Sequence, residues 1–305
     1  MSFSSEVKQE LAELAPEKPC CRAALAYGLL EFGHAFTGAR VSLQTEHAAV
    51  AHLYSELTAA VCGVAPPAVQ SLPRRGGFCI VSVDEAAARA RVLERFGHSP
   101  ADLSVRLNRA NLECDGCAPA LLRGAFLACG AVVDPASGYH MEFSVPYYNL
   151  CRDLLALLRE LGFHAKQVCR KGAQVVYLKE SEQIEDCLTL MGATNASLEL
   201  MGIKMVKDIR NNANRITNCE SANIDKTVAA AAVHLEAVRK IEAHGGLTLL
   251  PEELREVARL RLDNPDMSLR ELGESMEPPL SRSGVNHRLR RIVDYADKLS
   301  PSGPV

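Results

Sequence analysis

Pro119-Ala-Leu-Leu-Arg-Gly-Ala-Phe-Leu-Ala-Cys-Gly130 reads as an apolar helix with one glycine in its middle and another at its end. A glycine inside a helix costs about 0.5–1 kcal/mol relative to alanine, so Gly124 implies a second helix brought unusually close. That second helix stands upstream as Cys21-Arg-Ala-Ala-Leu-Ala-Tyr-Gly-Leu-Leu-Glu-Phe-Gly33, with Gly28 in the equivalent place. Side by side, the two helices would form a seam.

Working outward, each glycine helix opens the same run of elements. After the first come a strand at 40–45, a helix at 48–62, a strand at 77–83 introduced by Arg74-Arg75-Gly76, and a helix at 85–96 closed by Gly97. After the second come a strand at 139–145, a helix at 147–161 closed by Gly162, a strand at 174–178 introduced by Arg170-Lys171-Gly172, and a helix at 182–190 closed by Gly192. Gly28 and Gly124 are 96 residues apart, Gly76 and Gly172 are 96 apart, and Gly97 and Gly192 are 95 apart. So small a drift implies a duplicated α/β unit packed about a pseudo-twofold axis. An opening helix at 3–14 precedes them, with Ser4 or Ser5 as cap and Val7, Leu11 and Leu14 along one side.

Near the C-terminus the period changes to that of paired helices. Ser268 with Glu271 forms a capping box, Leu269, Leu272 and Met276 make a short stripe, and Glu277-Pro278-Pro279 stops the helix. A second helix restarts at Ser281 or Ser283, and Val285, Leu289, Ile292, Ala296 and Leu299 mark its buried face. Ser283, His287, Arg290 and Arg291 fall opposite, with Asn286 and Arg288 on the flanks. From Pro278 to Val293 the chain has four arginines (282, 288, 290, 291), one histidine and no acid. A helix-turn-helix from Ser268 to Leu299 needs such a surface: Arg282, Arg288, Arg290 and Arg291 for phosphates and guanine, Ser281, Ser283 and Asn286 for base edges, His287 on the same DNA-facing side, and Gly284 where backbone nears DNA. A solvated charged helix packed on a helical partner has the same periodicity, so spacing alone leaves both readings open.

Between the two regions, residues 203–223 are polar and rich in asparagine, and read as a basic linker or arm. Lys204, Lys207, Arg210 and Arg215 stand there against Asp208. They are candidate contacts to a DNA backbone, with a plain solvated linker the equal alternative. Next come a helix at 225–241 and then one opened by Pro251.

Gly28-Leu-Leu-Glu-Phe-Gly-His34 and Gly124-Ala-Phe-Leu-Ala-Cys-Gly130 resemble two degenerate copies of the motif that names the LAGLIDADG homing endonucleases. In that family an acid near the end of the motif binds the catalytic metal. The matching positions here are Gly33 and Cys129, which cannot act as hard-cation carboxylate ligands. Arg123–Gly130, Gly138-Tyr-His-Met-Glu-Phe143, Arg210-Asn-Asn-Ala-Asn-Arg215, Asn218-Cys-Glu220 and Ser281–Arg291 together resemble the WhiA family over nearly the whole chain. The resemblance implies an α+β fold of duplicated LAGLIDADG-like units of αββαβα type forming a pseudo-twofold domain, followed by an all-α helix-turn-helix domain. It further implies a DNA-binding protein linked to sporulation in actinobacteria and to cell division and chromosome segregation in other Gram-positive bacteria. The expected domains are an N-terminal helix at 1–18, repeats at 19–110 and 111–202, the linker at 203–223 and the helix-turn-helix domain at 224–305.

Composition sets the remaining bounds. With 305 residues and 48% hydrophobic content the chain supports two cores. A net charge of −3 argues against indiscriminate polyanion binding, so any DNA affinity must come from locally segregated charge. Eleven cysteines, an odd number, and the lack of a cationic leader or a long apolar run lead us to expect a reduced, cytoplasmic, nucleoid-associated protein with no membrane partner. Cys114-Asp-Gly-Cys117 has metal-knuckle spacing but no second pair at the usual separation, and Cys20-Cys21 reads as two buried thiols, so neither a metal nor a cofactor is expected. No catalytic set is evident. The sequence therefore leaves three functions to weigh: a sequence-specific regulator of double-stranded DNA without nuclease activity; a Mg²⁺-dependent nuclease using Glu31 or Asp134 as replacement acids; and a module whose partner is a sigma factor or another regulator.

Overall fold

The computed structural model describes residues 2–72, 77–170 and 172–299; Arg74-Arg75-Gly76 and Lys171, read above as introducing strands, lie outside them. The chain divides into two units, residues 1–207 and 208–305.

In the first unit the two glycine helices are α2 (Pro19–Glu31) and α5 (Cys117–Cys129). They are preceded by α1 (Phe3–Glu13), which buries Phe3, Val7 and Leu11. Its cap is Ser2, whose hydroxyl accepts the Ser5 amide at 3.3 Å, rather than Ser4 or Ser5; the Ser4 hydroxyl accepts the Val132 amide instead. The first repeat continues through β1 (Ala35–Phe36), β2 (Val41–Thr45), α3 (Ala48–Cys62), β3 (Val69–Leu72), β4 (Phe78–Ser82) and α4 (Ala86–Arg95). The second continues through β5 (Gly130–Val132), β6 (Met141–Val145), α6 (Tyr148–Glu160), β7 (Lys166–Arg170), β8 (Ala173–Leu178) and α7 (Ser181–Met191). Both sheets are antiparallel and have the same order, β1-β2-β4-β3 and β5-β6-β8-β7.

Each repeat is thus αββαββα, one strand longer than the expected αββαβα type; the residues also do not show β1 and β5, which are only two and three residues long. The added strands, β3 and β7, are short sheet edges that are largely solvent-facing, so they lack the apolar alternation that marks a strand. The duplication extends to the caps: Gly97 after α4 and Gly192 after α7 both take positive φ, 75° and 102°, a backbone that β-carbon sterics disfavour.

The seam is as close as the sequence implied. A Cβ on Gly28 would stand 2.2 Å from the Leu121 carbonyl oxygen, and one on Gly124 2.3 Å from that of Leu25. The helices therefore touch backbone to backbone, and around them one continuous core joins both repeats, from Phe3 to Leu200.

The segment 203–223 is not a linker. It lies inside α8 (Thr194–Gly245), an unbroken helix of 52 residues that also absorbs the helix read at 225–241. Residues 208–230 are exposed on every side, so no apolar stripe announces a helix there. Buried Leu200 on one side and Ala237, Val238 and Ile241 on the other anchor its two ends. With no proline between, extending a formed helix costs far less than starting one, and the asparagines are carried along.

In the second unit, α9 (Glu252–Asp263), α10 (Leu269–Glu274) and α11 (Arg282–Lys298) pack on Ala237, Val238 and Ile241 of α8. Among the described residues no helix is long and apolar enough to cross a membrane.

Candidate nucleic-acid interface

The helix-turn-helix is built by local chemistry that the sequence displays. At α10 the Ser268 hydroxyl accepts the Glu271 amide at 3.3 Å while the Glu271 carboxylate accepts the Ser268 amide at 2.7 Å. These two bonds satisfy free donors of the first turn and hold the Glu271 carboxyl below its ordinary pKa. The turn closes where the Leu280 amide donates to the Gly273 carbonyl at 2.9 Å. Here backbone meets backbone again, since a Cβ on Gly273 would fall 2.2 Å from the Leu280 oxygen.

Ser281 caps α11 by accepting the Gly284 amide at 3.2 Å, and its hydroxyl also meets that of Ser283 at 2.9 Å. Val285, Leu289, Ile292 and Ala296 are fully buried, as the periodicity required, and Leu299 packs at the end of the same core. That burial fixes what the opposite face presents. Arg282, Ser283, His287, Arg290 and Arg291 are exposed, and Asn286 and Arg288 are half-buried beside them. Gly284 is different from Gly273: a Cβ there would meet nothing nearer than 3.5 Å, so packing within the protein does not require glycine.

Two groups of sequence-chosen cations have partners within the protein. Arg291 is ion-paired with Glu253 of α9, which ties α11 to its neighbour. Lys204 pairs with Glu182, pulling that carboxyl down to about 2, and Lys207 donates to the Pro135 carbonyl at 2.6 Å with its ammonium over the Tyr139 ring. Both lysines thus fasten α8 to the second repeat. Arg210 and Arg215 are exposed on α8 and form no ion pair among the described residues.

Sequence reasoning missed the groove beside the α11 N-terminus. A hollow of about 650 Å³ lies between α8 and the helix-turn-helix, lined by Lys226, Thr227, His234, Arg261, Ser268, Arg270, Arg282, Ser283 and Asn286. Arg261 is buried and spans the turn between α9 and α10, donating to the carbonyls of Pro265 at 3.2 Å and Met267 at 2.7 Å. Burial and this neighbouring guanidinium lower the pKa of His234. The signal for Arg261 was present as an arginine on the apolar stripe of α9, but its partners are carbonyls that only folding brings near.

At the seam, the positions of the two motif acids carry Gly33, just past the end of α2, and Cys129, the last residue of α5. Beside Cys129 stands Lys8, buried and with its pKa lowered by that burial. Desolvation pushes the Cys129 thiol up to about 12 despite the lysine. Neither replacement acid sits ready for a metal. Glu31 is fully buried, its Oε1 accepting the Tyr27 hydroxyl at 2.8 Å, and burial raises its pKa well above the carboxylate range. Asp134 uses its carboxylate to accept the Ala136 amide at 2.8 Å in an exposed turn.

Known proteins share this architecture. Residues 118–210 match the WhiA LAGLIDADG-like domain, and residues 213–296 match the WhiA C-terminal HTH domain. A probable cell division protein WhiA of Heliobacterium modesticaldum is 39% identical, covering 100% of this chain and 99% of its own length. The chain belongs to the WhiA family.

A second WhiA relative, from Thermoanaerobacter pseudethanolicus, is 38% identical over 98% of each chain. The crystal structure of full-length WhiA from Thermatoga maritima superposes over the whole of both chains with a TM-score of 0.61 at 21% identity, which supports the fold. The WhiA HTH match starts at residue 213, inside α8, so the second half of that helix is part of the family's domain rather than a tether to it. The first match, ending at 210, likewise includes the beginning of α8.

Proposed function

We propose that this protein is a sequence-specific regulator that binds double-stranded DNA through α11 and acts in cell division, chromosome segregation or sporulation, at the nucleoid in the cytoplasm. The observation that carries the reading is the division of labour on α11. Its apolar stripe is wholly consumed by the core, and the face left over offers Arg282, Ser283, Asn286, His287, Arg288 and Arg290 to a groove. Gly284 supports it, because the missing side chain is not required by the protein and matches a backbone brought against DNA. Two WhiA relatives bearing the name of a probable cell division protein support the biological role.

The nuclease reading loses its chemistry. Gly33 and Cys129 offer no carboxylate, a lysine occupies the neighbourhood of one, and Glu31 is fully buried with its carboxyl pKa raised by that burial. We infer a scaffold that kept the shape of an endonuclease and does not cut. Arg210 and Arg215, exposed on α8 and in no ion pair among the described residues, are the better candidates for backbone contact than Lys204 and Lys207. Incubation of supercoiled DNA with the protein and Mg²⁺ should give no nicking; cleavage that disappears in Glu31→Gln or Asp134→Asn would overturn this part.

A second reading is favoured by one observation. Along α8, Met205, Val206, Ile209, Ile216, Ile224 and Val228 are all more than half exposed, which suits a protein partner such as a sigma factor or another regulator. Pull-down with the intact chain and with an Ile209/Ile216 glutamate variant tests it: retention of the same partners by the variant counts against α8 as the docking face.

A further inference from the structure

Four cysteines from opposite ends of the duplication meet at one point. Cys20 and Cys21 lie in the first turn of α2, Cys117 opens α5, and Cys114 sits in the turn before it. The Cys114 sulfur is 3.6 Å from Cys20, 3.5 Å from Cys21 and 3.6 Å from Cys117, and all four sulfurs lie within 4.8 Å of one another. We propose that these four thiolates form a structural Zn²⁺ site that clamps the two repeats together at the N-terminal end of their shared seam.

The geometry argues for one metal ion. Four sulfurs each about 2.3 Å from a tetrahedral zinc stand about 3.8 Å from one another. That is the spacing found around Cys114. A disulfide requires about 2.05 Å between two sulfurs and would single out one pair. Here Cys114 is equally close to three partners, as one corner of a tetrahedron must be. The sequence alone left Cys114 and Cys117 two ligands short; the fold supplies them from 93 and 94 residues upstream of Cys114.

The surroundings are made for thiolates. The Cys117 amide closes the turn on the Cys114 carbonyl at 2.9 Å. A Cβ on Gly116 would stand 3.0 Å from the Cys21 sulfur, so a glycine lets that ligand approach. Zinc with four thiolates carries a net charge of −2. The N-terminal ends of α2 and α5, each bearing partial positive charge, both face it, and Lys18 and Arg123 line the adjoining hollow with Cys21. Cys21 and Cys117 are buried while Cys20 and Cys114 are half-buried, which leaves a way in for the ion.

Binding exchanges four S–H bonds for four S–Zn bonds and releases four protons to solvent, with no change of oxidation state. All four positions are filled by protein, so the ion has no open site for substrate and its role is to fasten. Because it closes a long loop between the repeats, it acts mainly by restricting the unfolded chain.

The test uses the full chain expressed in zinc-supplemented medium and purified without chelator. Elemental mass spectrometry should find one zinc per chain. Cys114→Ser and Cys117→Ser should each lose it, while Cys169→Ser and Cys219→Ser, at exposed cysteines outside the cluster, should retain it. Should the cluster variants fail to fold, the wild-type chain answers alone: titration with a mercurial should release one zinc in step with four thiols, and Co²⁺ loaded in its place should show the intense bands of a tetrahedral tetrathiolate. A zinc-free native protein whose four thiols titrate freely, a disulfide between any two of them, or an iron chromophore with acid-labile sulfide would each overturn the proposal.

Discussion

Gly28 and Gly124 face each other across the seam of α2 and α5 so closely that a Cβ on Gly124 would lie 3.0 Å from the Gly28 carbonyl carbon and 2.6 Å from the Leu29 nitrogen. What each would strike is backbone, which cannot rotate away. Gly28→Ala and Gly124→Ala should each destabilise the first unit by about 3 kcal/mol, at or beyond the upper end of ordinary overpacking, despite the better helix propensity of alanine. Urea unfolding of the full chain measures it; a change below about 1 kcal/mol would mean that the helices separate easily.

Glu31 gives a prediction in pH. Its carboxyl pKa is raised in the folded state by burial, so between the unfolded value of 4.5 and the folded value the native chain holds a proton that the unfolded chain has released. Stability contributed at this site is therefore full below pH 4.5 and falls as pH rises through that window. Glu31→Gln keeps the acceptor for the Tyr27 hydroxyl and has no proton to hold. Its stability relative to wild type should improve progressively as pH is raised from about 4.5, read from denaturant midpoints across a pH series. A constant difference would place an ionised Glu31 in the core.

On α11 the exposed groups should separate by role. Arg290→Ala should weaken binding to every sequence alike, whereas Ser283→Ala or Asn286→Ala should lower discrimination between operator and random duplex by roughly 1–3 kcal/mol. Arg291, already paired with Glu253, should matter less for affinity than Arg290. Gly284→Ala should fold normally, because only ordinary contacts await the new Cβ, and yet bind DNA more weakly. Equal affinity for Gly284→Ala and wild type would show that the α11 backbone does not come close to DNA at that point.

The two ends of the polar segment 203–223 should differ in salt dependence. Arg210→Ala and Arg215→Ala should each reduce the slope of log affinity against log salt by about 1. Lys204→Ala and Lys207→Ala, which lose contacts to Glu182 and Pro135 inside the first unit, should leave that slope unchanged. Anisotropy titrations over a salt series distinguish the pairs.

Where the sequence was readable, the reason was periodicity or punctuation close in the chain. Val285, Leu289, Ile292 and Ala296 announce a buried face, Ser268 and Glu271 announce a cap, and Gly28 and Gly124 announce a close crossing. Each is decided within a few residues. The central part of α8 escaped because Asn211 to Asn218 has weak helix propensity and no apolar side, and its helicity is imposed by anchors at Leu200 and Ala237. The edge strands β3 and β7 escaped because what holds them is pairing to β4 and β8. Cys20 and Cys21 meeting Cys114 and Cys117, like Arg261 reaching Pro265 and Met267, are made by tertiary folding and leave no spacing to read.

The central claim is that the exposed face of α11 confers sequence-specific DNA binding. Its most direct test is a titration of the full chain against a duplex recovered by chromatin immunoprecipitation and against a scrambled duplex, with wild type and the Arg282/Arg288/Arg290/Arg291 quadruple alanine variant side by side. Wild type should prefer the recovered duplex, and the variant, with its thermal unfolding checked for an intact core, should lose roughly 10²-fold or more in affinity together with that preference. A folded quadruple variant that binds the recovered duplex as tightly and as selectively as wild type would contradict the account.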